Sequence, residues 1–563
     1  MRPSKFLVVA AIAAFSSCTD HHSGIGVTTK AGRTVVHSLR LTPALSGPPE
    51  FTLHWDAVIG DPAPRGFRVL SASRPWAADT RATAVIASVD RDTRTATVAI
   101  PADDGFRYLA VQAIDDAEGS ISPTLVVDTR TRLGLVWADP QTGRKSTDLI
   151  LAASGTLQTP AALPGDSFVW SPGDRSMIYV DQESAGVREF VTPDWPTDAP
   201  DPSPAGPIPD LASVVDWRAV RTSPLGDIAF LSADPPSALW VQPRSGNVTR
   251  VSQGAGIVGH FGWSPDGSAL AYLQRKDTFR SELWVHDPAQ ASNRRVSADL
   301  GPNEYVLLAT WSPDSRYLAF LTVDATRAND GRLQLHDRRL DRVTEVGAEF
   351  GHELAWGPRG DALLFLRRGS GADVRRAVLR LPVPWDDARP PGDQLQVIRT
   401  EATADLFQIR LSPDGAKLAM LVQEPGQGNV LRVFTADGQA TDEPAAVRGE
   451  RVQRFAFAPD SRRIAYQVSR AADQAVRVFE LDARTTQSAV WIQSPRVVHF
   501  AWNPHRPQLG VLGLFNRFDV LLVDGAGAQQ LYGGPPIGVA TDFFWTGWPR
   551  SPDPAIFATF VVK

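Results

Sequence analysis

The sequence is poor in cysteine, methionine and tyrosine, and it carries no excess of positive charge. It has one cysteine, 3 methionines and 7 tyrosines among 563 residues. A single thiol excludes a disulfide within the chain. The 57 basic and 62 acidic side chains give a net charge of −5, whereas proteins that bind phosphate backbones normally carry a basic excess. We therefore expect neither a disulfide-stabilised fold nor a nucleic-acid partner.

Tryptophan, proline and glycine are abundant by contrast. The chain has 16 Trp, 45 Pro and 44 Gly, a composition that favours turns and strands over long helices. Hydrophobic residues make up 43% and charged residues 21%, which excludes a disordered or collagen-like chain. The composition predicts an all-β protein.

The N-terminus has the pattern of an export signal. Arg2 and Lys5 precede an apolar run over residues 6–15, and Ser16 and Ser17 lead directly into Cys18. Ten apolar residues are too few to cross about 30 Å of hydrocarbon. A positive segment, a short apolar run and small residues together are typical of a signal peptide.

The ending of this segment resembles the lipobox of bacterial lipoproteins, although Phe15 stands where that family usually has an aliphatic residue. The resemblance implies that residues 1–17 are removed and that Cys18 is acylated, with residues 18–37 as a flexible tether. Thr19, in place of an aspartate, implies sorting to an outer membrane, facing the periplasm or the cell surface. The alternative is an ordinary secretory signal followed by an unrelated cysteine.

A first domain is predicted over residues 38–130. Short alternating runs separated by turn residues indicate a sandwich of antiparallel strands, with Trp55 pointing inward. Trp55 and residues 108–122 (YLAVQAIDDAEGSIS) resemble a fibronectin type III domain. That resemblance implies an adhesive or ligand-binding module, or a spacer that lifts the next domain from the membrane.

A repeated motif fills the rest of the chain. Its eight copies, numbered one to eight here, have prolines 41 to 55 residues apart and centre on Trp170-Ser-Pro172, Thr222-Ser-Pro224, Trp263-Ser-Pro265, Trp311-Ser-Pro313, Trp356-Gly-Pro358, Leu411-Ser-Pro413, Phe457-Ala-Pro459 and Trp502-Asn-Pro504. An apolar quartet follows each proline, and in most copies two further short runs follow the quartet. Four short strands at this period predict propeller blades, with a solenoid as the alternative.

The copies at residues 263–273 (WSPDGSALAYL) and 311–321 (WSPDSRYLAFL) are similar to the TolB-like propeller repeat. The resemblance assigns residues 131–563 to a β-propeller. Proline, an aspartate that bonds its own backbone, and a glycine together predict a tight turn. We therefore interpret the motif aspartates as structural; they are Asp266, Asp314, Asp414 and Asp460.

Half-copies flank this array. Residues 133–137 (LGLVW) precede it, and residues 542–545 (DFFW) and 556–562 follow it. We expect the two ends to meet and close a ring of eight blades, with seven as the alternative.

Catalytic motifs are sparse. Propellers of this family often precede a hydrolase domain, yet the sequence has no Gly-x-Ser-x-Gly elbow and no Gly-Lys-Ser/Thr loop. His352-Glu353 begins like a zinc-protease helix but has Trp356 in place of the second histidine, on a predicted strand. We expect no metal and no cofactor.

Three histidines remain as candidate site residues, because each stands three or four residues before a motif tryptophan. His260, His352 and His499 are candidates for a shared site at one mouth of the channel, for an anion or a metal. The alternative is a structural role at the strand ends. The integrin-type triplet Arg359-Gly360-Asp361 is interpreted as the turn of the fifth copy.

Two proline-rich segments are candidate docking loops. Residues 192–210 contain Trp195, and residues 381–393 contain Trp385. Proline stiffens an extended segment, and an exposed aromatic side chain suits a protein partner. An inert insertion is the alternative.

These observations predict a lipid-anchored protein of the bacterial cell envelope whose propeller binds a protein or peptide without catalysis. The alternative is an envelope hydrolase or lyase with its site in the propeller channel. A cluster of histidines or carboxylates with perturbed pKa values would favour the enzyme. An apolar patch around Trp195 or Trp385 would favour the binding protein.

Overall fold

The computed structural model describes residues 34–43, 50–60, 62–73, 84–100, 106–114, 121–122, 125–128, 132–139, 141–142, 144–151, 163–164, 168–170, 176–181, 186–191, 215–223, 227–232, 237–243, 247–254, 256–276, 280–297, 300–301, 303–367, 376–385, 388–401, 405–424, 428–439, 451–470, 473–481, 497–503, 508–513, 518–524, 527–533 and 539–546. Within these ranges the regular elements are β-strands, apart from a short 3-10 turn at Pro391–Gln394. The all-β prediction is confirmed. In the same ranges, no helix has the length and apolar character needed to cross a membrane.

The first domain is a sandwich of two antiparallel sheets. One sheet has the order β1-β2-β5, with bounds Val35–Pro43, Glu50–Val58 and Thr95–Ala99. The other has the order β4-β3-β6-β7, with β3 at Gly66–Ala72, β4 at Ala84–Asp90, β6 at Phe106–Ala113 and β7 at Leu125–Asp128.

The two sheets share one hydrophobic core. Trp55 of β2 is fully buried and packs edge-on against Phe67 of β3, with ring centroids 5.7 Å apart. Val69 and Val111 line the same core from the second sheet. The alternation in β2 therefore points Trp55 inward, as its sequence pattern predicts.

The repeat array begins and ends in one sheet. Strands β8 (Arg132–Ala138), β9 (Lys145–Leu151) and β10 (Leu163–Pro164) are completed by the last strand, β39 (Val539–Thr546), which pairs antiparallel with β8. Phe543 lies opposite Leu135, and Trp545 lies opposite Leu133. The flanking half-copies thus meet, as the sequence predicts; residues 556–562 lie outside the described ranges.

Each motif copy contributes three or four consecutive antiparallel strands. Copies one to three comprise β11 to β21, at Phe168–Trp170, Ser176–Asp181, Gly186–Val191, Val215–Thr222, Ile228–Ser232, Leu239–Gln242, Thr249–Arg250, Ile257–Trp263, Leu270–Arg275, Ser281–Asp287 and Ser292–Arg295. Copies four and five comprise β22 to β28, at Glu304–Trp311, Tyr317–Asp324, Arg327–Asp337, Arg342–Trp356, Ala362–Arg367, Arg376–Pro382 and Gln396–Glu401. Copies six to eight comprise β29 to β38, at Asp405–Leu411, Lys417–Glu424, Gly428–Thr435, Arg451–Phe457, Arg463–Arg470, Asp473–Glu480, Val497–Trp502, Gln508–Gly513, Phe518–Asp524 and Gly527–Gly533.

Strand pairing groups the described part of the array into eight sheets, but not with one motif copy in each. The long strand β25 is the last strand of copy four and the first strand of copy five, so these two copies share a seven-stranded sheet. The half-copies form a separate sheet. The described strands therefore make up nine motif-sized units in eight sheets, and the number of blades stays a prediction. The sequence pattern counted complete motifs, and the ninth unit has none.

Hydrophobic cores lie between successive copies. Leu333 and Leu335 of copy four share a cluster with Leu363 and Phe365 of copy five. Further clusters join copies five and six, six and seven, and seven and eight. This face-to-face packing of short sheets is the arrangement of propeller blades. It explains why the quartets, which form the second strands, are apolar on both faces.

The motif turn has the predicted chemistry. In each of the four Asp-containing turns, the aspartate side chain accepts the backbone N–H two residues later, at 2.9 to 3.2 Å; the aspartates are Asp266, Asp314, Asp414 and Asp460. Gly267 has φ 73° and Gly415 has φ 74°, and Ser315 adopts the same left-handed conformation. The structural interpretation of these aspartates is confirmed.

The motif tryptophan links neighbouring copies. Trp311 Nε1 donates to the carbonyl of Gly262 at 3.2 Å, which lies one residue before the motif tryptophan of the preceding copy. Trp263, Trp356 and Trp502 make the same bond to the preceding copy at 3.1 to 3.3 Å. The indole thus fills the space between two first strands and satisfies a carbonyl there.

Candidate functional site

The first strands of the copies lie beside one another and bring their polar residues together. Contacts join β14 to β18, β25 to β29, and β32 to β35. In copies three, four, seven and eight, a bulge interrupts the pairing of the first strand, and regular pairing resumes three residues before its last residue. We use the name central position for the residue that stands three residues before the last residue of the first strand in each copy. A bulge re-aims the side chains that follow it.

Two of the predicted histidines occupy the central position. His260 lies opposite Leu273 in copy three, and His499 lies opposite Leu512 in copy eight; both are half-buried. Burial lowers the pKa of His260, and the nearby positive charge of Arg221 lowers it further.

His352 lies one residue before the central position of copy five, and its side chain lies outside the described residues. The convergence of the three histidines stays a prediction. His352 and Glu353 lie on strand β25, as the sequence predicts, so they do not form a zinc-protease helix. In the described part of the chain, no three His, Cys, Asp or Glu side chains lie close enough to hold a metal.

Polar side chains connect copies five, six and seven near the central positions. Glu353 Oε2 lies 3.8 Å from Arg410 Nη1, which joins copies five and six. Gln408 Nε2 donates to the carbonyl of Gln453 at 3.4 Å, which joins copies six and seven. With Arg454, these four residues form a set that we call the polar arc.

Arg454 is the half-buried cation of the polar arc. Its Nε donates to Gln467 Oε1 at 2.8 Å, and its guanidinium lies 4.9 Å from the ring centroid of Phe500 in copy eight. Half-burial lowers the pKa of Arg454 from its usual value, because desolvation penalises the charged form. A cation above an aromatic ring and held by an amide is oriented before any ligand binds.

A chain of amides extends the polar arc to copy eight. Gln467 Nε2 donates to Gln453 Oε1 at 2.7 Å and to Gln474 Oε1 at 3.0 Å. Gln474 Oε1 in turn accepts the N–H of Val497 at 2.8 Å. The arc therefore offers oriented donors and acceptors across four successive copies, and such groups bind amides and carboxylates.

The structure describes one of the two tryptophans predicted to dock a partner. Trp195 lies outside the described residues. Trp385 is half-buried and packs against the core between copies four and five, with its ring centroid 5.5 Å from that of Tyr317. Trp385 is therefore only partly exposed, because its ring covers apolar surface of its own domain, and its role in docking a partner stays a prediction.

The sequence-based prediction missed Gln408, Arg410, Gln453 and Arg454 and treated Glu353 only as part of a false zinc motif. The signal was present, since Glu353, Gln408 and Arg454 each stand three residues before the last residue of a first strand, as His260 and His499 do. That register position is visible in the motif alignment.

Comparisons with known proteins identify no family. No protein-family model matches the chain, and no curated protein matches it. Similar solved structures include dipeptidyl peptidase 4 from Porphyromonas gingivalis, with 12% identity, a TM-score of 0.47, and coverage of 66% of this chain and 60% of the peptidase. The chain thus spans less than two thirds of that peptidase.

Two smaller proteins also show similarity. TolB from Acinetobacter baumannii has 13% identity and a TM-score of 0.28, covering 62% of this chain and 77% of TolB. Oligogalacturonate lyase from Vibrio parahaemolyticus has 13% identity and a TM-score of 0.35, covering 56% of this chain and 86% of the lyase. At such identities and TM-scores the similarity concerns the general fold at most, and the fold rests on the strand pairing described above.

Proposed function

We propose that this chain is a lipid-anchored cell-envelope protein whose propeller binds a protein or peptide without catalysing a reaction. The polar arc is the observation that carries the proposal. It presents donors and acceptors in a row across adjacent copies, and this arrangement suits the alternating N–H and C=O groups of an extended peptide.

The charges of the arc suit the same kind of ligand. Arg410 is exposed, donates to the carbonyl of Ile409 at 2.8 Å, and makes a long ion pair with Glu353 at 3.8 Å, with 46% and 30% side-chain exposure for Arg410 and Glu353 respectively. Such a pair contributes little to stability. A ligand that replaces it therefore sacrifices little protein stability and gains two charged partners.

The alternative function is an envelope hydrolase or lyase with its site in the propeller channel. One observation favours it: His260 is half-buried, and its lowered pKa keeps the imidazole neutral near pH 7. A neutral imidazole is suited to general-base chemistry. Burial alone produces the same shift in a structural histidine, so we place the binding function first.

A site-specific crosslink tests the binding proposal. A photoreactive amino acid replaces Arg410 in the arc of the full-length chain, and a matched protein carries it at Arg389, an exposed arginine between β27 and β28. After irradiation of intact cells, we expect a discrete crosslinked partner from position 410 and none from position 389. The yield at position 410 should fall when Glu353→Lys is added.

Two outcomes would overturn the proposal. One is the absence of any crosslinked macromolecule at position 410. The other is the same set of products at both positions, which would indicate random collisions at the surface.

A further inference from the structure

A cleft of about 160 Å3 separates the motif turns of copies five and six. The turn after β25 forms one wall, and the turn after β29 forms the other. Its charged lining residues are Arg359, Asp361, Arg380 and Asp414. The polar arc does not include these residues, so this site is independent of the proposed function.

The cleft lies where the usual links between turns are missing. In the third-to-fourth junction the Ser315 hydroxyl accepts the N–H of Asp266 at 2.9 Å, and in the sixth-to-seventh junction Ser461 accepts the N–H of Asp414 at 3.0 Å. At the fifth-to-sixth junction, Gly415 takes the place of that serine. Leu411 also takes the place of the motif tryptophan, so neither a hydroxyl nor an indole spans the gap.

The fifth copy also changes the charge of its turn. Arg359 stands where four other turns have an aspartate. The turn keeps its shape, because the N–H of Gly360 still donates to the carbonyl of Gly357 at 2.8 Å. The substitution therefore places a cation at the cleft without altering the local fold.

The second cation comes from the middle of a strand. Arg380 pairs with Leu364 on one side and Gln396 on the other, so its backbone is held on both edges. Within the described residues, the side chains of Arg380 and Arg359 make no hydrogen bond and no ion pair. Two arginines that share a cleft without carboxylate partners are arranged to bind an oxyanion.

The acidic residues of the cleft limit the kind of oxyanion. Asp414 accepts hydrogen bonds from Ser412 and from the N–H of Ala416 within its own turn. Asp361 adds a second negative charge to the lining. A monoanion experiences less repulsion from these two carboxylates than a dianion such as phosphate.

We propose that this cleft binds a carboxylate group between Arg359 and Arg380. The carboxylate belongs either to a small free acid or to the C-terminus of a peptide. Asp361 lines the same cleft and would accept an N–H near that carboxylate, which suits an acylated amino acid or a peptide end.

Saturation-transfer NMR titrations with the full-length protein test this proposal. The probes are N-acetylglycine, its primary amide, inorganic phosphate, and trialanine as the free acid and as the C-terminal amide. We expect both free acids to bind and both amides to bind at least about tenfold more weakly, because charge-assisted hydrogen bonds are lost. Tighter binding of trialanine acid would assign a peptide terminus, and tighter binding of N-acetylglycine would assign a small acid.

The variants Arg380→Gln and Arg359→Gln should each weaken binding of the acids about tenfold or more. Arg389→Gln, an exposed arginine outside the cleft, is the matched control and should leave binding unchanged. Arg359 lies on an exposed turn, so we expect the Arg359→Gln variant to fold. It therefore tests the proposal even if Arg380→Gln fails to fold. Equal binding of acid and amide, unchanged binding in the arginine variants, or tighter binding of phosphate would each overturn the proposal.

Discussion

The third-to-fourth junction and the fifth-to-sixth junction come from the same motif but are held together differently. In the first, the indole of Trp311 is fully buried and donates to Gly262, and Arg338 lies 5.5 Å from the indole ring centroid. In the second, Leu411 is only half-buried, and the described ion pairs between the two copies are Glu353–Arg410 at 3.8 Å and Arg376–Asp405 at 2.6 Å.

This difference indicates what the motif tryptophan does. Where it is present, apolar and hydrogen-bonded groups fill the junction. Where leucine replaces it, a cleft remains on the turn side, and polar side chains meet along the first strands. The propeller therefore has closed junctions that stabilise it and an open junction that is suited to binding.

The largest effect is expected at the sheet formed by β8, β9, β10 and β39. There the two ends of the array are joined by a pair of strands and not by a side chain, as at the two junctions. Deleting residues 542–563 removes most of β39 and leaves β8 with an unpaired edge. Exposing several hundred Å2 of apolar surface would cost on the order of 10 kcal/mol, comparable to the stability of a whole domain. Limited proteolysis should show cleavage throughout residues 131–541, while the sandwich at 38–130 survives.

An open solenoid would behave differently in the same experiment. It would lose only its terminal repeats and leave a protected fragment of the earlier copies. Such a fragment would refute closure of the array through β39.

The next largest effect is expected from substitutions at the motif tryptophan position of the two junctions. Trp311→Leu leaves a cavity and an unsatisfied carbonyl at Gly262, and should lower the free energy of unfolding of the propeller by about 3 kcal/mol. Leu411→Ala, at the open junction, should cost about 1 kcal/mol, because Leu411 is half-buried. Urea unfolding followed by tryptophan fluorescence and by circular dichroism measures both. Equal losses would contradict the distinction between closed and open junctions.

The closed third-to-fourth junction should also respond to acid. His336 is 3% exposed, and burial lowers its pKa to about 4, with the positive charges of Arg294 and Arg338 lowering it further and Asp337 opposing them. His336 Nε2 also lies 3.4 Å from Asp341 Oδ1, and Asp341 pairs with Arg294 of the third copy.

The sign of this effect follows from the lowered pKa. His336 binds a proton at about pH 6.5 in the unfolded chain but only near pH 4 in the folded chain. The contribution of neutral His336 to the free energy of unfolding is therefore complete above pH 6.5 and is lost as the pH falls towards 4. We expect a loss of about 3 kcal/mol over this window. In the His336→Gln variant, the midpoint temperature of thermal unfolding should fall less between pH 7 and pH 4 than in the wild type. The same slope in both proteins would exclude His336 as its source.

The smallest effect on folding is expected at Cys18, which the lipobox resemblance marks as the point of acylation. Cys18→Ser should release the protein from membranes and leave the unfolding of the propeller unchanged, because no disulfide is lost. Labelling with a clickable fatty acid and membrane fractionation measure the two results. Equal labelling of the wild type and the variant would rule out lipidation at this residue.

Much of the fold was predictable because its causes are local. The burial of Trp55, the turns at Asp266 and Asp414, and the second strands formed by the quartets all follow from alternation and turn chemistry within a few residues. The number of units was not predictable in this way. The ninth unit combines strands from the two ends of the array and lacks a complete motif.

The candidate sites were less predictable, because they form between copies. The sequence predicted an exposed Trp385, whereas the ring packs on Tyr317, a contact that depends on how copies four and five meet. Glu353 and Arg410 likewise come from different copies. No pattern within one copy shows which side chain its neighbour places opposite.

The sequence by itself determined an all-β chain, the sandwich, the strands of each copy and the turns between them, since these depend on side-chain alternation and on proline, aspartate and glycine at fixed offsets. Only the tertiary structure decided which junctions are closed by an indole and which are left open, and that Arg359 and Arg380 face one cleft. The physical reason is that a junction is formed by groups far apart in the chain, and their contacts depend on the packing of whole sheets against one another.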